Sequence, residues 1–291
     1  MASKFRFRRS FGNVSSRFRG AIPKHFPLFT GLLDNFGGAA AAYSLRALSA
    51  NWVAGDVVEV RRSSDSTTQD FTASQITNGE LETFCGVGDG FVSIWYDQSG
   101  NANNATQATT TMQPKIVSAG ALVVGGLDFD GVDDQMMVVG NPVITAAAAG
   151  TFSTFSVHTV AAVEAGYLFG NPSTGAGAAQ YARSGDEFTT SNGTNTTLDK
   201  ITGSSSELLL SGVYNNGDAG LLINGGGSMT DQGTYDFVAG TVDFTIGNRS
   251  GGVSSATFLA GQIQEIIVYN SNQSANRVAI ETNINAAYTI F

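Results

Sequence analysis

The chain has 291 residues, enough for one large all-β domain or two small ones, and only 13% of them are charged, against 36 glycines. Its single cysteine, Cys85, excludes an intrachain disulfide framework. No window of about 18 apolar residues is present to span a membrane as a helix, and no apolar stretch at the start marks a secretory signal.

Charge is split along the chain. Lys4, Arg6, Arg8, Arg9, Arg17, Arg19 and Lys24 give the first 24 residues +7, and no acid precedes Asp34. The remainder holds eight of the fifteen bases against all 24 acids, a balance of −16. The first segment, "MASKFRFRRSFGNVSSRFRGAIPKHFPLFTG", alternates Phe5 and Phe7 with Arg6 and Arg8, and Pro23 and Pro27 then break any regular element. With little core of its own, residues 1–35 read as an arm that docks elsewhere. Phenylalanine and arginine together are frequent interface anchors, so Phe5, Arg6, Phe7, Arg8, Arg9, Arg17, Phe18 and Arg19 are its expected assembly contacts. An acidic body opposes nucleic acid as the partner.

In the body, residues 36–291, Ala41, Leu45, Leu48 and Trp52 recur at helical spacing, and the alanine run predicts a helix over 38–50. "DVVEVRR" reads as a strand, "SSDSTTQD" as a polar turn, "GELETFCG" as a short helical turn and "FVSIWY" as a strand. From residue 121 the chain becomes a series of short strands. "ALVVGGLDFDGVDDQMMVV" predicts two strands around a Gly-Val-Asp-Asp turn. "TFSTFSVHTVAAV" is a long strand with Phe155, Val157, Thr159 and Ala161 at alternate positions, and "GYLFGN" returns after a turn at Glu164. "ELLLSGVYNN" and "AGLLINGG" form a hairpin. "TVDFTIGNRS" and "FLAGQIQEIIVYN" are further strands. "SANRVAIETNINAAYTIF" is a helix capped by Ser274, with Ile280, Ile284, Ala287 and Phe291 as its apolar stripe. The expected fold class is an all-β sandwich with a few short helices and an extended N-terminal arm.

The loop after "FVSIWY", "DQSGNANNATQ", admits several chemistries. Trp95, Tyr96, Asp97 and Asn101 combine aromatic faces with the polar groups that sugars need. Asp97, Ser99, Asn101 and Asn103 place oxygen donors at alternate positions, as in the first half of a calcium loop, so Ca2+ is the one cofactor to consider. His25 and His158 are too few and too far apart to suggest zinc. The same loop also reads as pure architecture, because Asp97, Ser99 and Asn101 can hydrogen-bond their own backbone.

Three stretches carry family resemblances. "LDFDGVDDQMMV", "LLLSGVYNNGDAGLLINGG" and "FTIGNRSGGVSSATFLAGQIQEIIVYN" resemble the laminin-G-like, concanavalin A-like jelly roll, over residues 121–291. "AAYSLRAL", "VVEVRRSSDSTTQDF", "GDGFVSIWYDQSGNANNATQ" and "QPKIV" resemble the catalytic domain of the arabinofuranosidase B family, over residues 38–118 (a front segment of 36–120). Similar segments occur in virion proteins of tailed phages. Together with the basic arm, this resemblance implies a structural virion protein. Its arm docks among other virion proteins in a homo-oligomeric particle, and its lectin-like jelly roll faces outward towards host surface glycans. The alternative it implies is a glycoside hydrolase of arabinofuranosidase type. That chemistry needs two carboxyl groups across a cleft, drawn from Asp97, Asp128, Asp130, Asp133, Asp134 and Glu164. In that family the nucleophile sits in a passage like "VAAVEAGYLFGN", which makes Glu164 the nearest analogue.

Overall fold

The computed structural model describes residues 29–140, 143, 151–160, 166–170, 179–183, 187–191, 199–202, 206–215, 218–226, 243–248 and 258–291. The expected arm contacts Phe5, Arg6, Phe7, Arg8, Arg9, Arg17, Phe18 and Arg19, and the candidate Glu164, lie outside these residues.

In chain order the front segment comprises α1 (Leu32–Asn35), β1 (Ala39–Ser44), β2 (Asp56–Arg62), β3 (Thr68–Thr72), α2 (Ala73–Thr77), α3 (Glu80–Cys85), β4 (Gly90–Trp95), β5 (Ala105–Thr106), β6 (Lys115–Ser118) and β7 (Ala121–Leu122). There follow β8 (Leu127–Asp130), β9 (Met136–Val138), β10 (Thr151–Val160), β11 (Gly166–Gly170), β12 (Ala179–Arg183), β13 (Glu187–Ser191), β14 (Asp199–Thr202), β15 (Leu208–Asn215), β16 (Asp218–Ile223), β17 (Phe244–Ile246), β18 (Ala260–Tyr269) and α4 (Arg277–Tyr288). The chain is therefore mostly β with a few short helices, a curled antiparallel sheet that folds into a sandwich.

The long strand β18 organises it. One edge pairs with β10 along its whole length, and β10 carries β15, which carries β16. The other edge is shared: β8 takes the first half, Ala260↔Asp130 to Ile263↔Leu127, and β1 takes the second, Ser44↔Glu265 to Ala39↔Tyr269. From β8 the sheet continues through β6 and β4 to β2 and β3. A second path runs from β4 through β5, β9 and β17 to β11.

The expected helix over 38–50 is a strand instead. All six residues of β1 are buried. Ala41 and Tyr43 enter the core between the sheets, whereas Ala39 and Ala42 enter a second core beneath α1 and α4, with Phe155, Val157, Ile267, Ile280 and Ile284. Alanine's helix propensity amounts to a few tenths of a kcal/mol per residue. Filling a sheet edge covered on both faces, where small side chains fit, outweighs it.

The other expected strands and the hairpin form, the latter in register from Leu210↔Ile223 to Asn215↔Asp218. The polar "SSDSTTQD" divides, its last residues joining β3. The C-terminal helix starts later than expected: Asn276 precedes its first turn, so Ser274 does not cap it. Its Ala287 faces water, and the helix ends at Tyr288, before the exposed Phe291. Its buried face is Ile280, Ile284 and the inward Glu281, tied to Arg277 at 2.6 Å. No helix among the described residues is long and apolar enough to cross a membrane.

Candidate functional site: a carboxylate turn beside a locked loop

The loop 96–107 is built around Asp97, which is 1% exposed. Its Oδ1 accepts from the backbone N–H of Ala42 (2.8 Å) and Ser99 (2.9 Å); its Oδ2 accepts from Ser99 Oγ (2.7 Å) and Asn103 N (3.0 Å). Asn101 Nδ2 donates to the carbonyls of Ala39 and Ala40, and Asn103 Nδ2 donates to Ala40. Gln98 reaches the same strand's exit, accepting from Leu48 N and donating to the carbonyls of Ser44 and Arg46. The loop thus supplies hydrogen bonds that the bulged edge of β1 lacks from a neighbouring strand.

These bonds place the four residues considered for Ca2+, Asp97, Ser99, Asn101 and Asn103, together but turned to another purpose. The carboxylate is occupied by four donors, and both asparagine amides aim N–H groups at β1. Of the residues considered for glycans, Trp95 is 0% exposed and packs on Tyr43 with ring centres 5.7 Å apart. It belongs to the core and offers no face to a sugar, because strand alternation turns it inward. Tyr96 turns outward and donates from its hydroxyl to Asp70 Oδ1 at 2.7 Å.

The carboxylates of 128–134 are arranged differently. Asp130 ends β8 and accepts from Val132 N (2.8 Å) and Asp133 N (3.2 Å), which tightens the turn. Asp134 returns beneath it and accepts from Asp130 N at 3.1 Å. One oxygen from each of Asp130, Asp133 and Asp134 lies within 4.8 Å of the others. Asp134 is 6% exposed. Its burial, reinforced by the charges of Asp130, Asp133 and Asp128, pushes its carboxyl up to about 7. It therefore holds its proton well above the ordinary carboxylate range.

Asp128, Asp130 and Asp134 line a groove of about 430 Å³ with Phe91, Thr110, Thr111, Gln113 and Lys115. The Phe91 ring has the Arg61 guanidinium 4.8 Å and the Lys115 ammonium 5.7 Å from its centre. Gln113 is fixed between Arg61 Nε, from which it accepts, and the Gln107 carbonyl, to which it donates. An aromatic wall, cations and carboxyls in one groove make a setting suited to a polyhydroxy ligand.

The end of β17 closes over this turn. Gly247 has φ +81, and a Cβ there would come within 2.3 Å of the Phe129 ring, so the close approach needs glycine. Asn248 Nδ2 donates to Gln135 Oε1 at 2.9 Å, and Leu259 N donates to the Gly247 carbonyl at 2.8 Å. Gly166, which opens β11, packs on Leu259 so tightly that a Cβ would lie 2.6 Å from its Cα. Leu259 precedes Ala260, which pairs with Asp130. The strand that follows Glu164 in sequence thus begins beside the carboxylate turn.

The sequence reading included Asp134 among six carboxyls but had no means of separating it from the others. The groove residues Phe91, Thr110, Gln113 and Lys115 carried no sequence signal as a group. Two buried titratable groups away from the groove, His158 and Cys85, pack in the interior. His158 is wholly buried and pushed down to about 3, and the buried Cys85 thiol is pushed up to about 11.

Residues 35–126 match the family described as alpha-L-arabinofuranosidase B, catalytic. No curated protein sequence matches the chain. Among solved structures, a GH54 α-L-arabinofuranosidase soaked with a cyclic sulfate inhibitor superposes with a TM-score of 0.63 at 17% identity, over 86% of this chain and 63% of that one. An arabinofuranosidase complexed with arabinofuranosyl-alpha-1,2-xylobiose superposes at 0.59 and 16% identity, over 86% of this chain and 62% of its own. The chain thus spans a little under two thirds of the length of these proteins. Their likeness shows a shared sandwich fold, and the family match over residues 35–126 corrects the sequence reading in two respects. The family likeness is to arabinofuranosidases, not to laminin-G modules of phage virions. The preference for a non-enzymatic virion component over a glycoside hydrolase is overturned with it.

Proposed function

We propose that the chain is a glycoside hydrolase of arabinofuranosidase type. The observation that carries this reading is the match of residues 35–126 to an arabinofuranosidase catalytic family. The shared sandwich fold and the groove at the carboxylate turn support it.

Hydrolysis of a glycoside needs an acid that protonates the leaving oxygen and a second carboxylate that attacks the anomeric carbon or activates water. Asp134 meets the first requirement, because burial and its like-charged neighbours keep a proton on it near neutrality. As the glycosidic bond breaks, that proton passes to the departing oxygen. The developing carboxylate is then received by the Asp130 N–H, 3.1 Å away. Glu164 is assigned the second role through its resemblance to the family's nucleophile passage, and β11 begins beside the turn.

The test is release of 4-nitrophenol from 4-nitrophenyl α-L-arabinofuranoside by the purified chain, with Glu164→Gln as the comparison. The expected result is turnover by the parent and a loss of about a thousandfold or more in the variant. A folded parent with no turnover above the blank overturns the reading. Full activity in the variant overturns the role of Glu164.

A further inference from the structure

A groove of about 370 Å³ lies between α1 and the locked loop and shares no wall residue with the carboxylate groove. It falls within the size of small-molecule sites, about 300–1,000 Å³. Trp52 forms part of its wall, half-buried and held in place. Its indole Nε1–H donates to the Asp56 carbonyl at 3.1 Å, and its backbone N–H donates to the Ser49 carbonyl at 3.0 Å. Gly55 covers one face of the indole: a Cβ there would lie 3.2 Å from three atoms of the five-membered ring. The opposite face is the one left for a ligand.

Around the indole stand polar groups with bonds to spare. Asp34 Oδ2 accepts from the N–H groups of Gly31 (2.7 Å) and Ala50 (2.8 Å), whereas its Oδ1 accepts from none among the described residues. Ser49 is only 9% exposed, yet among the described residues its hydroxyl makes no hydrogen bond. Nor does the side-chain amide of the exposed Asn51. A nearly buried hydroxyl without a partner, in the wall of a groove, calls for a group from outside. No cation stands in this wall, so Asp34 disfavours an anionic ligand. Donors and acceptors beside an aromatic face match a sugar ring, whose hydroxyls both give and accept hydrogen bonds. A Cβ on Gly38 or Gly100 would meet nothing within 4 Å, so the groove opens there and leaves room for a longer chain. We propose that this groove binds a neutral oligosaccharide, one ring lying against Trp52 with its hydroxyls bonded to Asp34 Oδ1, Ser49 Oγ and the Asn51 amide. The loop considered for glycans then meets one through Ser99 and Gly100, not through the buried Trp95. The proposal is independent of the glycosidase reading.

Trp52 and Trp95 are the chain's two tryptophans, and Trp95 is sealed in the core. Tryptophan emission of the full chain therefore reports on this groove. A sugar in the carboxylate groove, whose wall has no tryptophan, leaves the emission unchanged. The probes are cellohexaose, xylohexaose and mannohexaose. The expected result is a saturable blue shift with at least one of them, together with weaker quenching by acrylamide. Asn51→Ala removes an exposed amide that the described fold does not use, so it should raise the apparent Kd about threefold to tenfold at an unchanged melting temperature. No saturable change with any of the three probes overturns the proposal, as does an affinity that Asn51→Ala leaves unchanged. A response to choline that matches or exceeds the response to the sugars would assign the groove to an organic cation and overturn it as well.

Discussion

Asp97 and Asp134 are both nearly sealed from water, yet the protein uses them in opposite ways. Asp97 is met by four donors from its own loop and β1, so its oxygens are used up as acceptors and it acts as a rivet. Among the described residues Asp134 is met by a single backbone N–H, with Asp130 and Asp133 crowding it, so it holds its proton up to about 7. Burial alone does not make a reactive carboxyl. The count of donors against neighbouring negative charge decides.

The comparison can be broken most sharply at Asp134. Asp134→Asn keeps the shape but removes the transferable proton, so turnover of the nitrophenyl glycoside should fall by about 10²–10⁴-fold. In the parent, activity should decline as pH rises through about 7, where Asp134 loses its proton. Turnover that survives in Asp134→Asn would move the acid elsewhere.

Asp97 should show the converse: a large effect on stability. Asp97→Ala leaves the N–H groups of Ala42, Ser99 and Asn103 without their acceptor, a cost on the order of 4 kcal/mol in urea unfolding. A variant as stable as the parent would show that the loop is not a lock.

The two residues also differ in how pH acts on folding. The Asp134 carboxyl is raised from 3.8 in the ordinary state to about 7 in the fold, so between these values the folded chain binds the proton more tightly. Its stability contribution is present at low pH and is lost as pH rises through about 7. That loss amounts to about 2 kcal/mol once screening by water is allowed for. Asp134→Asn should flatten this slope in denaturation curves taken from pH 4 to 8. The smallest effect is expected at Asn101, exposed at the tip of the lock, where Asn101→Ala removes the bonds to the Ala39 and Ala40 carbonyls and costs about 1 kcal/mol.

Much of this contrast had a local cause that could be read early. The "FDGVDD" turn between two strands and the self-bonding potential of Asp97, Ser99 and Asn101 follow from short-range chemistry, and both are present. What distance in sequence concealed was the other side of each contact. Asp97's bond to Ala42 spans 55 positions, and Asn248's to Gln135 spans 113.

By itself the sequence determined the all-β class, most strand positions, the β15–β16 hairpin and the split between a basic front and an acidic body. Period-two patterning, turn residues and charge counts are properties of neighbours along the chain. The tertiary structure alone decided that β1 is a strand and not a helix, that Trp95 faces inward, and that Asp134 holds its proton. Each of these depends on which residues from remote segments cover a position and how many donors they bring. Burial and local field are properties of the assembled sandwich, absent from any one stretch of it.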